Sequence, residues 1–257
     1  MNEFRSYLTK HLRVWPPNMA VVRALESVHI RDIINLRSPS LDLGCGDGKF
    51  VSIVFGKLDI GIDISSKEIK RAQKIGSFSE VHCSDAHNIP YPDDYFKTIL
   101  SNCVIEHVTR PEALIQEIAR VLNEKGEFIF TTWTPAFNES LLINKKWYIN
   151  WKNNVLNHVS IKSAQEWEEI LQKHKLQVIH IKYYLDCRKL KYLDFLELVS
   201  LIGFWKLKII NVYRIIAPLI PSFFINKFAA FLDNFFIRSQ CDGRGCAMII
   251  RAIKKTH

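Results

Sequence analysis

Three glycines at alternate positions, Gly44, Gly46 and Gly48, follow the short run Leu41-Asp42-Leu43. Residues without a Cβ let a ligand approach the backbone closely, and the loop they form opens a helix whose first amides can receive negative charge. A dinucleotide fingerprint, Gly-x-Gly-x-x-Gly, would place its third glycine where Lys49 stands, so a nicotinamide oxidoreductase is disfavoured. Cysteine chemistry has little footing. The six cysteines are scattered with no Cys-x-x-Cys pair, which argues against a zinc ribbon or redox motif and suits a reducing cytosol. No two of the nine histidines fall at metal-ligand spacing beside a cysteine, and no metal site is expected.

The elements that must hold this loop are read from period. Between Pro39 and Gly126 short β-rich apolar runs alternate with helix-like stretches, as consecutive βαβ units of a parallel sheet do. The pattern predicts strands at Ser40–Leu43, Leu58–Ile62, Glu80–Ser84, Thr98–Asn102, Glu127–Thr132 and Leu176–Tyr184, and a closing strand at Cys246–Ile253. Helices are predicted at Lys67–Ile75, Pro111–Leu122 and Ser163–Lys173, the last opened by Ser163 with Glu166 three positions on. A chain of 257 residues, 48% hydrophobic and 24% charged, can bury one large core with an elaboration attached.

The Gly-x-Gly-x-Gly spacing, with one acidic residue inside its strand and another ending the next, resembles motif I of the class I S-adenosylmethionine-dependent methyltransferases. Four further stretches match in order: Gly61-Ile62-Asp63-Ile64-Ser65, Ser84-Asp85-Ala86-His87-Asn88-Ile89-Pro90, Ser101-Asn102-Cys103-Val104-Ile105-Glu106-His107 and Arg120-Val121-Leu122-Asn123-Glu124-Lys125-Gly126-Glu127. Together they are similar to the type 11, small-molecule and quinone-type branch, over roughly residues 38 to 184 plus the final strand. The resemblance implies an α/β fold: a doubly wound Rossmann-like seven-stranded sheet, order 3-2-1-4-5-7-6, last strand antiparallel, with a mostly helical insertion before that strand. It implies S-adenosylmethionine as cofactor and an enzyme of the methyl-transferring class.

It also implies a site. Asp63, 19 residues after Gly44, can accept both ribose hydroxyls of an adenosine held over the glycine loop. In the family, the position of Asp85 accepts from the adenine amino group and the Ala86 backbone lines the base, and Ile64 is counted among the cofactor-binding residues. Gly44, Cys45, Gly46 and Gly48 with Asn102 and Cys103 hold the methionine end, and Asp42 and Asp47 lie close enough to favour its ammonium. His107 and His158 compete as catalytic base on the acceptor side, while Glu106 reads as a helix cap or supporting residue. The Asn/Asp-Pro-Pro-aromatic pattern of amino methyltransferases is absent after the fourth strand, and Trp15-Pro16-Pro17-Asn18 reads as a turn. Cytosine C5 enzymes need Pro-Cys, whereas Cys103 follows Asn102, so nucleic acid is the minority expectation.

Two segments stand outside this pattern, a helical arm (1–37) and an aromatic, basic insertion (185–243), around a cofactor domain of 38–184 plus 244–257. In the insertion, Pro221 and Ser222 open an amphipathic helix on which Phe224, Phe228, Phe231 and Phe235 share a face with Ile225, Leu232 and Phe236, away from Asn226, Lys227, Asp233 and Asn234. The apolar face suits packing on neighbouring helices, a second subunit, an amphipathic acceptor or an anionic membrane. Arg188, Lys189, Lys191, Lys206, Lys208 and Arg214 could ring it. A formal charge of +9 favours an acidic partner without choosing one. No apolar secretory segment opens the chain and no stretch is long enough to span a bilayer. The expectation is a cytoplasmic enzyme, with the inner face of a membrane as a candidate contact, that methylates a small or lipid-linked acceptor at oxygen. The alternative is a non-catalytic module of the same fold that docks on a membrane or partner protein.

Overall fold

A computed structural model describes residues 2–201, 203–204, 207–236 and 244–256. Seven strands form the sheet: β1 (Ser40–Leu43), β2 (Leu58–Asp63), β3 (Phe78–Cys83), β4 (Phe96–Asn102), β5 (Leu122–Trp133), β6 (Leu176–Tyr183) and β7 (Ala247–Lys254). Their order is β3-β2-β1-β4-β5-β7-β6, parallel except where β7 runs antiparallel between β5 and β6. This is the expected doubly wound α/β sheet, and its strand order reverses beside β1 and β4. There the loops at the carboxyl ends diverge and leave a crevice for a ligand.

Eleven helices surround it among the described residues: α1 (Glu3–His11), α2 (Pro17–Ile33), α3 (Lys49–Val54), α4 (Ser66–Ile75), α5 (Pro111–Val121), α6 (Ala136–Glu139), α7 (Lys146–Leu156), α8 (Ala164–Lys173), α9 (Cys187–Leu201), α10 (Ile209–Ile216) and α11 (Ser222–Phe236). Local chemistry sets their ends. Ser65 caps α4 by accepting from the Glu68 amide, and Gly76 closes it in the left-handed region. Ser163 and Glu166 form the predicted reciprocal capping box on α8. Pro16 and Pro17 do not form a free-standing turn: Pro16 is the N-cap and Pro17 the first residue of α2, where a missing N–H costs nothing.

Alternation along the strands divides the core. Ile99, Phe128, Phe130 and Ile250 face α5 and α8, meeting Leu114, Ile118, Trp167 and Leu171. Leu100, Ile129 and Ile249 face the other way into a cluster built from both outer segments: Phe4, Leu8, Ala20 and Ala24 of the arm with Leu190, Leu193, Ile225 and Leu232 of the insertion. Arm and insertion are also pinned to each other. Asn2 donates to Asp233 at 3.0 and 3.1 Å, Arg13 to the Ser222 hydroxyl at 2.8 Å and Tyr213 to the Leu12 carbonyl at 2.6 Å.

The buried face of the aromatic helix α11 is rotated from the expected one: it keeps Ile225, Leu232 and Phe236 and takes in Ala229 and Asp233 instead of the other phenylalanines. Ile225, Ala229, Leu232, Asp233 and Phe236 are its buried residues, while Phe223, Phe224, Phe228, Phe231 and Phe235 are exposed, Phe231 by 66%. Ala229 accounts for the rotation, because a small residue lets the helix approach α1, and Asp233 turns inward to meet Asn2. Lys206, one of the cations expected to ring this surface, and the insertion's end at 237–243 lie outside the described residues.

Candidate active site

The carboxyl ends of β1 and β4 carry the site. After Leu43 the chain turns through Gly44 at φ +80°, where an added Cβ would come within 2.3 Å of Val104 Cγ2, so only glycine fits between the two strand ends. Gly46, at φ +53°, has nothing within 4 Å of an added Cβ and presents bare backbone to the crevice. Gly48 ends the loop as the N-cap of α3. Asp63 fixes the loop from the next strand, accepting from the Gly46 amide at 2.9 Å and the Ser65 amide at 2.8 Å.

A cavity of about 880 Å³ lies against this loop, lined by Asp42, Gly44, Cys45, Gly46, Asp47 and Asn102 from the sheet edge and by Trp15, Arg23 and Phe50. The arm therefore forms part of its wall. Asp42 is 4% exposed, and burial, reinforced by Asp63, pushes its carboxyl up to about 7. A cation seated beside it would restore the charged form, which is what a methionine ammonium requires. Burial likewise pushes the Cys45 thiol up, so Cys45 lines the cavity as an uncharged group.

Not every expected cofactor residue lies on that wall. Asp63 reaches it through Gly46, and Ile64 stands 74% exposed beside it. Asp85 and Ala86 line neither this cavity nor the second one. The Asp85 carboxylate accepts from the His87 amide at 2.9 Å and lies 2.8 Å from His87 Nδ1, contacts that hold it below the usual carboxylate range, while Ala86 packs on the core beneath.

The second cavity, about 350 Å³, opens on the far side of the β4 end and is lined by Cys103, Glu106, His107, His158, Trp133 and Phe137, among others. Arg23 borders both cavities, and the adjacent residues Asn102 and Cys103 border one each. That junction is built by a residue with no recognisable sequence signal. Glu26 of α2, wholly buried, is paired with Arg23 at 2.7 Å and accepts from Asn102 Nδ2 at 3.0 Å and Cys103 Sγ at 2.9 Å. Cys103 sits at φ +53°, a conformation that costs a non-glycine residue on the order of 1–3 kcal/mol and is held here by its amide bond to Thr131. Burial, Glu26 and Glu106 push its thiol well above the ordinary range.

Both expected histidines line this second cavity, 5.4 Å apart between ring centres. His107 Nδ1 lies 2.9 Å from the Asn157 carbonyl and donates to it, because a carbonyl only accepts. Burial, then His107 and Lys152, lowers His158 to about 3, so it is neutral. Glu106 is not a cap: it lies in a short 3-10 turn, is wholly buried, and burial pushes its carboxyl up to about 7. Farther in, Lys152, 1% exposed, pairs with Asp194 at 2.6 Å and Glu197 at 3.0 Å, and Tyr148 donates to Asp194. Sequence reading missed this group because its members come from α7 and α9 and carry no local motif.

Residues 41–130 match the family model described as a methyltransferase domain. A tRNA (carboxymethyluridine(34)-5-O)-methyltransferase of Arabidopsis thaliana is 30% identical over 60% of this chain and 33% of its own length. The chloroplastic tocopherol O-methyltransferase of the same plant is 26% identical over 54% of this chain and 44% of its own. The chain thus spans well under two thirds of these curated relatives. Among solved structures, geranyl diphosphate C-methyltransferase from Streptomyces coelicolor, in complex with Mg2+, geranyl diphosphate and S-adenosyl-L-homocysteine, superposes with a TM-score of 0.56 at 17% identity, over 89% of this chain and 76% of that one. The matched stretch, a methyltransferase domain, runs from the glycine loop's strand to the centre of β5, and the chain shares the seven-stranded fold of the S-adenosylmethionine-dependent methyltransferases.

Proposed function

We propose that the chain methylates a small or lipid-linked acceptor, at an oxygen, seated in the second cavity. One observation carries this: Arg23 lines both cavities, and the adjacent residues Asn102 and Cys103 line one each. S-adenosylmethionine supplies an electrophilic methyl on a sulfonium, and a displacement of this kind gains most from alignment and exclusion of water. The Glu26 node holds the β4 end rigid at that junction, and Trp133 and Phe137 keep the acceptor side apolar. His107 and neutral His158 each bring an imidazole to this cavity, beside the buried Glu106 carboxyl that burial raises to about 7. His107, on the wall of this cavity, is placed to receive the proton of an acceptor hydroxyl.

The exposed phenylalanines of α11, with Ile215 and Leu219, favour contact with an anionic membrane surface, where Lys227, 4.4 Å from the Phe223 ring centre, would meet lipid phosphate. Transfer of labelled methyl to a panel of phenols, sugar hydroxyls, amines, polyprenyl phosphates and unmodified tRNA tests the reading. The expected result is an oxygen-methylated small or lipid-linked product, reduced about 10²-fold or more by His107→Ala. Methylation confined to tRNA or to nitrogen would overturn it.

A further inference from the structure

We infer that Glu106, His107 and His158 form a binding site for a divalent transition-metal ion in the wall of the second cavity, with the ion's open positions facing the acceptor. The inference rests on reading that cavity as the acceptor site. One donor atom from each of the three residues lies within 4.8 Å of the other two, although His158 is distant in sequence and reaches the site only through the end of α7. The decisive observation is Glu106. Its side chain is wholly buried, and neither carboxylate oxygen has a hydrogen-bond partner, since the neighbouring Cys103 thiol spends its proton on Glu26. An isolated buried carboxylate is costly unless a cation or donor meets it. His158 Nδ1 is buried without a partner as well.

His107 has the arrangement that metal-bound histidines use: Nδ1 donates to a backbone carbonyl, fixing the tautomer, and Nε2 is left for the ion. The cations nearby are already matched, Lys152 by Asp194 and Glu197 and Arg23 by Glu26, so Glu106 is the carboxylate in this wall without one. Two imidazoles and one carboxylate suit Zn2+, Mn2+ or Fe2+ better than Mg2+ or Ca2+, which prefer oxygen throughout. Three protein ligands leave positions for an acceptor hydroxyl, whose ionisation a bound ion would ease.

The test uses the full chain stripped of metal with a chelator. Mn2+ is titrated by electron paramagnetic resonance and Zn2+ by calorimetry, and S-adenosylhomocysteine is titrated into each sample to report an intact cofactor site. Wild type is expected to bind one equivalent, and Glu106→Gln and His158→Ala each to weaken that binding tenfold or more while S-adenosylhomocysteine affinity is unchanged. If one of these variants loses S-adenosylhomocysteine as well, His107→Gln takes its place. Wild type that binds S-adenosylhomocysteine but neither ion, or variants that bind both ions as wild type does, would overturn the inference. A metal-binding protein that methylates none of the acceptors would instead sink the acceptor reading and leave the ion site standing.

Discussion

At the scale of single residues, the site is a set of buried polar groups whose charges are set by what surrounds them. Asp42 is the clearest case. Its carboxyl is raised from 3.8 to about 7 by burial and by Asp63, so the fold favours the protonated form. The stability this contributes is full below the unfolded value of 3.8 and is lost as pH rises through about 7. Without cofactor, the unfolding free energy of the wild type should therefore fall between pH 4 and pH 8 by about 2–4 kcal/mol relative to Asp42→Asn, as urea denaturation at several pH values would measure. A flat difference would mean that Asp42 is not desolvated. Several of these residues were legible because each belongs to an ordered motif: Asp42, Gly44, Gly46 and Asn102 all line the first cavity. Glu26 was not, because a glutamate in an N-terminal helix gains its role only when that helix crosses the β4 end.

At the scale of elements, the helices α4, α5 and α8 followed from amphipathic period and capping, and the central strands β1, β4 and β5 from short apolar runs buried on both faces, with β5 starting five residues before its expected first residue. The face of α11 did not. That helix is apolar on most of its circumference, so hydrophobic spacing cannot say which side meets the core, and the small side chain of Ala229 decides it. The two sides make opposite predictions. Leu232→Ala, on the buried side, should cost about 2–4 kcal/mol of stability in chemical denaturation. The double substitution Phe224→Ser and Phe231→Ser, on the exposed side, should leave stability within about 0.5 kcal/mol but abolish co-sedimentation with vesicles rich in anionic lipid. Unchanged vesicle binding in that variant, or none in the wild type, would remove the membrane contact from the proposed function.

At the scale of the whole molecule, the sheet supplies the floor of both cavities and the two outer segments supply much of their walls. Trp15 and Arg23 of the arm stand over the glycine loop, and Leu190 and Leu193 of the insertion close the second cavity. These contacts join residues some two hundred positions apart, such as Asn2 with Asp233, which is why the motifs mark the floor of the first cavity but not the walls of the second. The same interlock makes excision of the insertion a poor test, since it would uncover Phe4 and Leu8. The central claim is that the Gly44–Gly48 loop and Asp63 together hold an adenosyl sulfonium. Calorimetric titration of S-adenosylhomocysteine into wild type and Asp63→Ala tests it most directly. Saturable one-to-one binding by the wild type, weakened tenfold or more in the variant, is the predicted result; equal affinity in the two, or no binding by a folded wild type, would contradict it.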